Sequence, residues 1–274
     1  MEFVDFRRSE RSRDLGLIFP GWGPGERVGF LSPHDDDAIL GAGYLLRAVA
    51  AAGGIPSVFV FCRGDAGYSK VEDRDAIVGR RRKEAIAAYA ALGAEGDRIR
   101  FFGAPDFALM SSLDRRPAGE DGLFDELIRT FRRERISRVV FSSGHFEHWD
   151  HTAAFFMGVY SIPQAGDPIL ADLGPPCEIR SYLAYSVWAD FALADDGERI
   201  LRADCGILAP VEEEQTVRRS IAAFGSQGQI LEKTTARDRE KRRFGNAYLE
   251  LYQRAPVRKP MDYAAYFERL KTIP

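Results

Sequence analysis

The chain has 274 residues, with 38 Lys and Arg against 41 Asp and Glu for a formal net charge of −3, and 45% apolar and 29% charged residues. This is the composition of an ordinary globular chain, and its near-neutral balance, with no segment dominated by Lys and Arg, leaves no footprint for a nucleic-acid backbone or an anionic bilayer. Three scattered cysteines, Cys62, Cys177 and Cys205, none in a CxxC, indicate neither a disulfide framework nor a thiolate zinc site.

The N-terminal MEFVDFRRSERSRDLG carries charges without a following apolar stretch, and runs such as VFVFC fall far short of the roughly 18 residues of a membrane span. A cytoplasmic protein without membrane insertion is expected. Strands are predicted near 28–32, 57–62, 98–102 and 138–142, with helical patterns near 38–52, 74–93 and 121–135 between them. Such alternation reads as βαβ units around a parallel sheet. After about 160 the pattern changes: a Gly/Pro-rich connection leads into EIRSYLAYSVWADFAL and DDGERILRAD, which read as two strands around a turn, and helices are predicted near 211–224 and 236–254. The fold expected is therefore α/β, a Rossmann-like three-layer sandwich with a mostly parallel sheet and an antiparallel C-terminal edge. Without repeats, low-complexity tracts or a linker, residues 1–274 read as one domain with its core at about 25–255.

The four histidines, His34, His145, His148 and His151, occupy two short segments, each directly after a predicted strand. In a doubly wound sheet, ligand sites form beyond the carboxyl ends of strands where the strand order reverses, so the loops at 33–37 and 143–151 are expected to face each other. In Ser32-Pro33-His34-Asp35-Asp36-Asp37, His34 and Asp37 are three apart and can share a face toward one metal ion; His148-Trp149-Asp150-His151 again spaces two histidines by three. Two imidazoles and a carboxylate with an open position form a common catalytic zinc set, which Fe2+ or Co2+ could also occupy. The competing reading is that Asp-rich turns merely cap helices. His145 has no specific expected role.

These motifs resemble the PIG-L/LmbE-like zinc-dependent N-acetylglucosaminyl deacetylase family. SPHDDDAILGAG is similar to the family's first motif, [A/P]-H-P-D-D-E, and HWDH to its second, H-x-D-H, with weaker likeness at Arg81 to Glu84, Gly103 to Asp106, YSVW and Ser226-Gln227. The resemblance implies His34, Asp37 and His151 as ligands of one zinc per chain, and Asp36 as general base. It implies His148 as the group that stabilises the oxyanion, Asp150 as the carboxylate that orients it, and Arg81 and Asp106 as contacts to substrate hydroxyls. Two positions depart from the pattern: Asp35 stands where the family usually has Pro, and Ala38 where it often has Glu, which removes one carboxylate that could orient a ligand.

The function implied is removal of an acetyl group from an N-acetylglucosamine-type small molecule by zinc-activated water, with protonated His148 steadying the oxyanion and Asp36 moving the proton. Alternatives are amide hydrolysis of another conjugate, a phosphoesterase, which would need further carboxylates for a second metal, or a non-catalytic nucleotide-binding module. The last is disfavoured because Gly41-Ala42-Gly43 lies inside the helix and completes no GxGxxG. No GxSxG elbow accompanies Ser142-Ser143-Gly144, and Cys62 reads as a buried strand residue. Substrate choice is expected to depend on loops 63–73, 104–120 and 163–178, and self-association is left open.

Overall fold

The computed structural model describes residues 1–113, 122–144, 147–188, 191, 202–229, 231, 242–258 and 262–273. In chain order the elements are β1 (Glu2–Asp5), β2 (Glu10–Ser12), β3 (Arg27–Ser32), α1 (Asp37–Ala51), β4 (Ile55–Cys62), α2 (Ile77–Ala90), β5 (Ile99–Ala104), α3 (Leu123–Glu134), β6 (Arg138–Ser142), α4 (Trp149–Phe156), β7 (Ser181–Tyr185), β8 (Cys205–Pro210), α5 (Val211–Ile221), β9 (Arg243–Phe244), β10 (Ala247–Arg254) and α6 (Ala264–Leu270). The described strands form one sheet in the order β2-β1-β8-β10-β7-β6-β3-β4-β5, with β9 pairing β10.

Strands β5, β4, β3, β6 and β7 run parallel; the apolar runs of β3, β4 and β6 are buried on both faces because helices cover both sides, whereas the edge strand β5 is mostly half-buried. Alternation within each strand divides the core. Val28 and Phe30 of β3 and Val58 and Val60 of β4 pack toward α1, α2 and α5, whereas Leu31, Phe59 and Phe61 pack toward α3 and α4. The three-layer arrangement is the one expected, and the antiparallel part, β10 and β8, is extended by the N-terminal strands β1 and β2.

One expectation about the second half is corrected, and a second falls largely outside the described residues. Of the two strands expected around a turn, EIRSYLAYSVWADFAL holds β7, while the turn and most of DDGERILRAD lie outside the described residues; β7 pairs with β10, which stands between it and β8, antiparallel to both. The helix expected at 236–254 is the strand β10 over 247–254, its first part lying outside the described residues. Tyr248, Glu250 and Tyr252 are buried while Leu249 and Leu251 are half-buried, a period of two. Register against β8, from Ala247 opposite Pro210 to Tyr252 opposite Cys205, decides the conformation.

Helix α1 is broken at Ala42, whose φ of −144° and ψ of 28° are not helical. The break frees backbone donors, and the buried Glu250 carboxylate of β10 accepts from Tyr44 N–H at 3.0 Å and Leu45 N–H at 3.2 Å, a tertiary cap for the second half of the helix. Gly41 permits the close approach at the break: a Cβ there would stand 2.2 Å from Cδ2 of Tyr185. Gly43 gives the same close approach to Val217 of α5, so the glycines of GAG serve packing against the sheet and the neighbouring helix.

Behind the sheet, Arg132 of α3 is almost fully buried and donates to the carbonyls of Gln164, Ala165, Asp167, Ile169, Leu170 and Gly174 at 2.6–3.1 Å. One guanidinium thereby organises the segment between α4 and β7.

Candidate active site

Strands β3 and β6 are neighbours in the sheet, so the turns that leave their carboxyl ends meet as expected at the point where strand order reverses. His34 Nδ1 lies 3.1 Å from Asp37 Oδ2, and His151 Nε2 lies 3.2 Å from the same oxygen. His34, Asp37 and His151 each offer a ligand atom within 4.8 Å of the others. His34 N–H also donates to Asp37 Oδ2 at 2.8 Å, which turns the carboxylate back toward the ring.

The fit to a metal ion rests on His151. Its Nδ1 stands 2.6 Å from Oε2 of Glu147 and 3.1 Å from Oγ of Ser142, so that nitrogen carries the proton and donates it. Nε2 is left with a lone pair, is fully buried, and makes no hydrogen bond. A buried imidazole nitrogen without a partner, beside a carboxylate oxygen and a second imidazole, is a donor set suited to a divalent transition ion.

Asp36 is the N-cap residue of α1, yet its side chain makes no capping hydrogen bond, so the capping alternative fails at this position. Its carboxylate faces the cavity instead, 3.8 Å from Nη2 of Arg81. Burial, opposed by Arg81 and reinforced by Asp35 and Asp37, pushes its pKa up to about 7. At the second motif a histidine does the capping: His148 Nδ1 accepts from Asp150 N–H at 3.2 Å at the start of α4.

Asp150 is fully buried and engages more than His148. Its Oδ2 lies 3.1 Å from His34 Nε2 and 3.4 Å from His148 Nδ1, and its two oxygens accept from Phe107 N–H at 2.7 Å and Leu109 N–H at 3.1 Å. Despite burial, hydrogen bonds from His34, Phe107 and Leu109 hold its carboxyl down to about 2. Asp150 therefore pins the 107–109 turn to both histidine rings.

Arg81 and Asp106 both line the cavity, but each is already engaged. Arg81 Nε donates to both oxygens of the buried Asp35 at 2.9–3.0 Å, Nη2 adds a further bond, and Nη1 reaches Gln227 Oε1 at 3.4 Å. The residue that replaces the family's proline thus takes up the guanidinium. Asp106 accepts from Gly64 N–H at 2.8 Å and Ala66 N–H at 3.0 Å, shaping the 63–67 loop. Of the neighbouring arginines, Arg80 pairs with Asp73 at 2.9 Å and Arg82 sits 4.4 Å over the Phe101 ring.

Glu147 was not anticipated, although its position four residues before His151 was a usable signal. Its side chain is fully buried, and its Oε1 accepts from Ser186 Oγ and Val187 N–H, each at 2.7 Å, and from Trp188 N–H at 2.9 Å. Burial works against its charge, yet the His151 hydrogen bond and those from Ser186 and Trp188 hold its carboxyl below the usual range. His145 lies outside the described residues. The cavity, about 540 Å³, is also lined by Leu40, Phe107, Trp188, Gln227 and Leu231. Of the loops expected to shape it, 63–73 contributes Ala66 and Gly67 and 104–120 contributes Asp106 and Phe107, whereas 163–178 contributes no described lining residue because it wraps Arg132.

Fold and site define a Rossmann-like α/β protein with a His-Asp-His cluster where its sheet reverses order. Residues 30–160, which hold both histidine motifs, match the model of the PIG-L family, described as GlcNAc-PI de-N-acetylase. Among solved structures, the N,N'-diacetylchitobiose deacetylase of Pyrococcus horikoshii is 19% identical and superposes with a TM-score of 0.69 over 89% of this chain and 88% of its own. GalB, the 4-carboxy-2-hydroxymuconate hydratase of Pseudomonas putida KT2440, is 19% identical with a TM-score of 0.65, covering 87% of this chain and 100% of its own. The A40926 pseudoaglycone deacetylase Dbv21 is 20% identical with a TM-score of 0.61, covering 85% and 99%. No curated protein sequence matches the chain significantly. At these identities the likeness is one of fold, and the same fold carries deacetylases and a hydratase, so the reaction has to be read from the site.

Proposed function

We propose that this protein is a metal-dependent N-deacetylase that removes the acetyl group of an N-acetylglucosamine-type small molecule, with His34, Asp37 and His151 holding one ion, zinc or alternatively Fe2+ or Co2+. The observation that carries the reading is the buried, unpartnered Nε2 of His151 beside Asp37, with the Asp36 carboxylate, which caps no N–H, lining the same cavity. Bound there, such an ion supplies Lewis-acid polarisation and lowers the pKa of water to about 7.

The remaining steps belong to side chains. Asp36 accepts the proton of the attacking water at a carboxylate oxygen and then delivers it to the departing amine nitrogen. His148 was expected to act as an imidazolium. Because Nδ1 accepts from Asp150 N–H, the neutral ring with its proton on Nε2 fits better, and that Nε2–H donates to the carbonyl oxygen as charge develops. Asp150 keeps the His34 ring and the 107–109 turn in register, and Arg81 and Asp106 shape the cavity wall.

The test is metal content together with acetate release from N-acetylglucosamine derivatives, for wild type and Asp36→Ala. About one metal per chain in both proteins, with acetate released by wild type alone and the variant slower by orders of magnitude, supports the reading. Near-normal turnover by Asp36→Ala removes its role, and failure of reconstituted wild type to bind metal removes the whole reading.

A further inference from the structure

Phe107 departs from what folding alone requires. Its φ of 65° lies in the left-handed region, costly for any residue with a Cβ, and its side chain is 66% exposed, so the ring recovers little of that cost through burial. The backbone reason for the turn is plain, since Phe107 N–H donates to Asp150 Oδ2 at 2.7 Å. Glycine would make that bond without strain. The aromatic ring stands edge-on to His148, centroids 4.3 Å apart, on the wall of the cavity that holds the His-Asp-His cluster. Trp188, 53% exposed, lines the same cavity from the end of β7, and Leu40 and Leu231 add apolar surface.

The charge of the cavity points the same way. Arg81 is the one lysine or arginine among the described lining residues, and Asp35 occupies its guanidinium; the acidic side chains of Asp36 and Asp106 face the same space. A phosphate or carboxylate brought in with the substrate would meet acidic side chains and no unpaired lysine or arginine among these residues. We infer that the substrate carries a neutral aryl or alkyl aglycone, held against Phe107 and Trp188, and that the site selects against anionic aglycones. This inference rests on the deacetylase reading above.

Acetate release from benzyl N-acetylglucosaminide, N-acetylglucosamine and N-acetylglucosamine 1-phosphate by the metal-loaded protein tests it. The expected order of kcat/KM places the benzyl glycoside about tenfold or more above the free sugar, with the phosphate last. Phe107→Ala and Trp188→Ala should each narrow the ratio of benzyl glycoside to free sugar while retaining metal. Equal or faster turnover of the phosphate, or an unaltered ratio in both variants, overturns the inference. If no glycoside yields acetate, the deacetylase reading fails by itself, and saturation-transfer NMR with the same compounds still decides the subsite. Contact with the benzyl ring that weakens in Phe107→Ala sustains it, and tighter binding of the phosphate overturns it.

Discussion

Nδ1 of His151 and Oε2 of Glu147 stand 2.6 Å apart with neither side chain exposed. This bond selects the ring tautomer that leaves Nε2 bare, and the other oxygen of the same carboxylate holds the backbone of Val187 and Trp188. Ala38, where the family motif often carries glutamate, suggested a ligand left without support; for His151 that support comes from Glu147.

Glu147→Gln is accordingly expected to weaken metal affinity about 10- to 100-fold, read by competition with a chelator of known affinity. The amide oxygen can still accept from Val187 and Trp188, so circular dichroism should show an intact fold. Unchanged affinity would mean that His151 is oriented without Glu147.

His148→Ala should lower kcat about 10²- to 10³-fold with metal retained, the loss expected of a donor to a developing oxyanion. Steady-state kinetics separates the roles: a rise in KM with kcat unchanged would make His148 a binding residue instead.

Arg132→Met should destabilise the fold by at least about 3 kcal/mol, since each orphaned buried carbonyl costs on the order of 1–3 kcal/mol and part of the 164–174 segment can rehydrate. Arg132→Lys should recover only part, having three donors on a point charge where the guanidinium has a planar fork. Urea unfolding measures both, and a loss below about 1 kcal/mol would show that the carbonyl cage closes without the guanidinium.

Glu250 couples the fold to pH. Burial pushes its carboxyl up to about 7 despite hydrogen bonds from Tyr252, Tyr44 and Leu45, whereas an unfolded glutamate titrates near its ordinary value of about 4.3. Between these values the native chain holds a proton that the unfolded chain has lost, so the stability it contributes is full below the ordinary value and lost as pH rises through about 7. The melting temperature of wild type relative to Glu250→Gln should therefore fall from pH 5 to pH 8. A constant difference across that range would show that Glu250 is ionised throughout.

Much of this was legible before any fold was known. The strands β3 to β6 follow from short apolar runs bounded by turns, and the two histidine motifs follow from spacing at strand ends. The strand β10 was misread because Tyr248, Leu249, Leu251 and Tyr252 satisfy a helical face and a strand alternation alike, and only pairing with β8 and β7 separates them. Arg81 was expected at the site and lines the cavity, but its capture by Asp35, 46 positions away, was not legible.

The amino-acid sequence determined on its own which chemical groups stand at the carboxyl ends of the parallel strands, because covalent spacing and local periodicity suffice for that. Tertiary structure alone decided which atoms of those groups meet: His34 and Asp150 are 116 residues apart and touch at 3.1 Å. Such a contact depends on the register of β3 against β6, a property of strands packed between helical layers that no local stretch of chain contains.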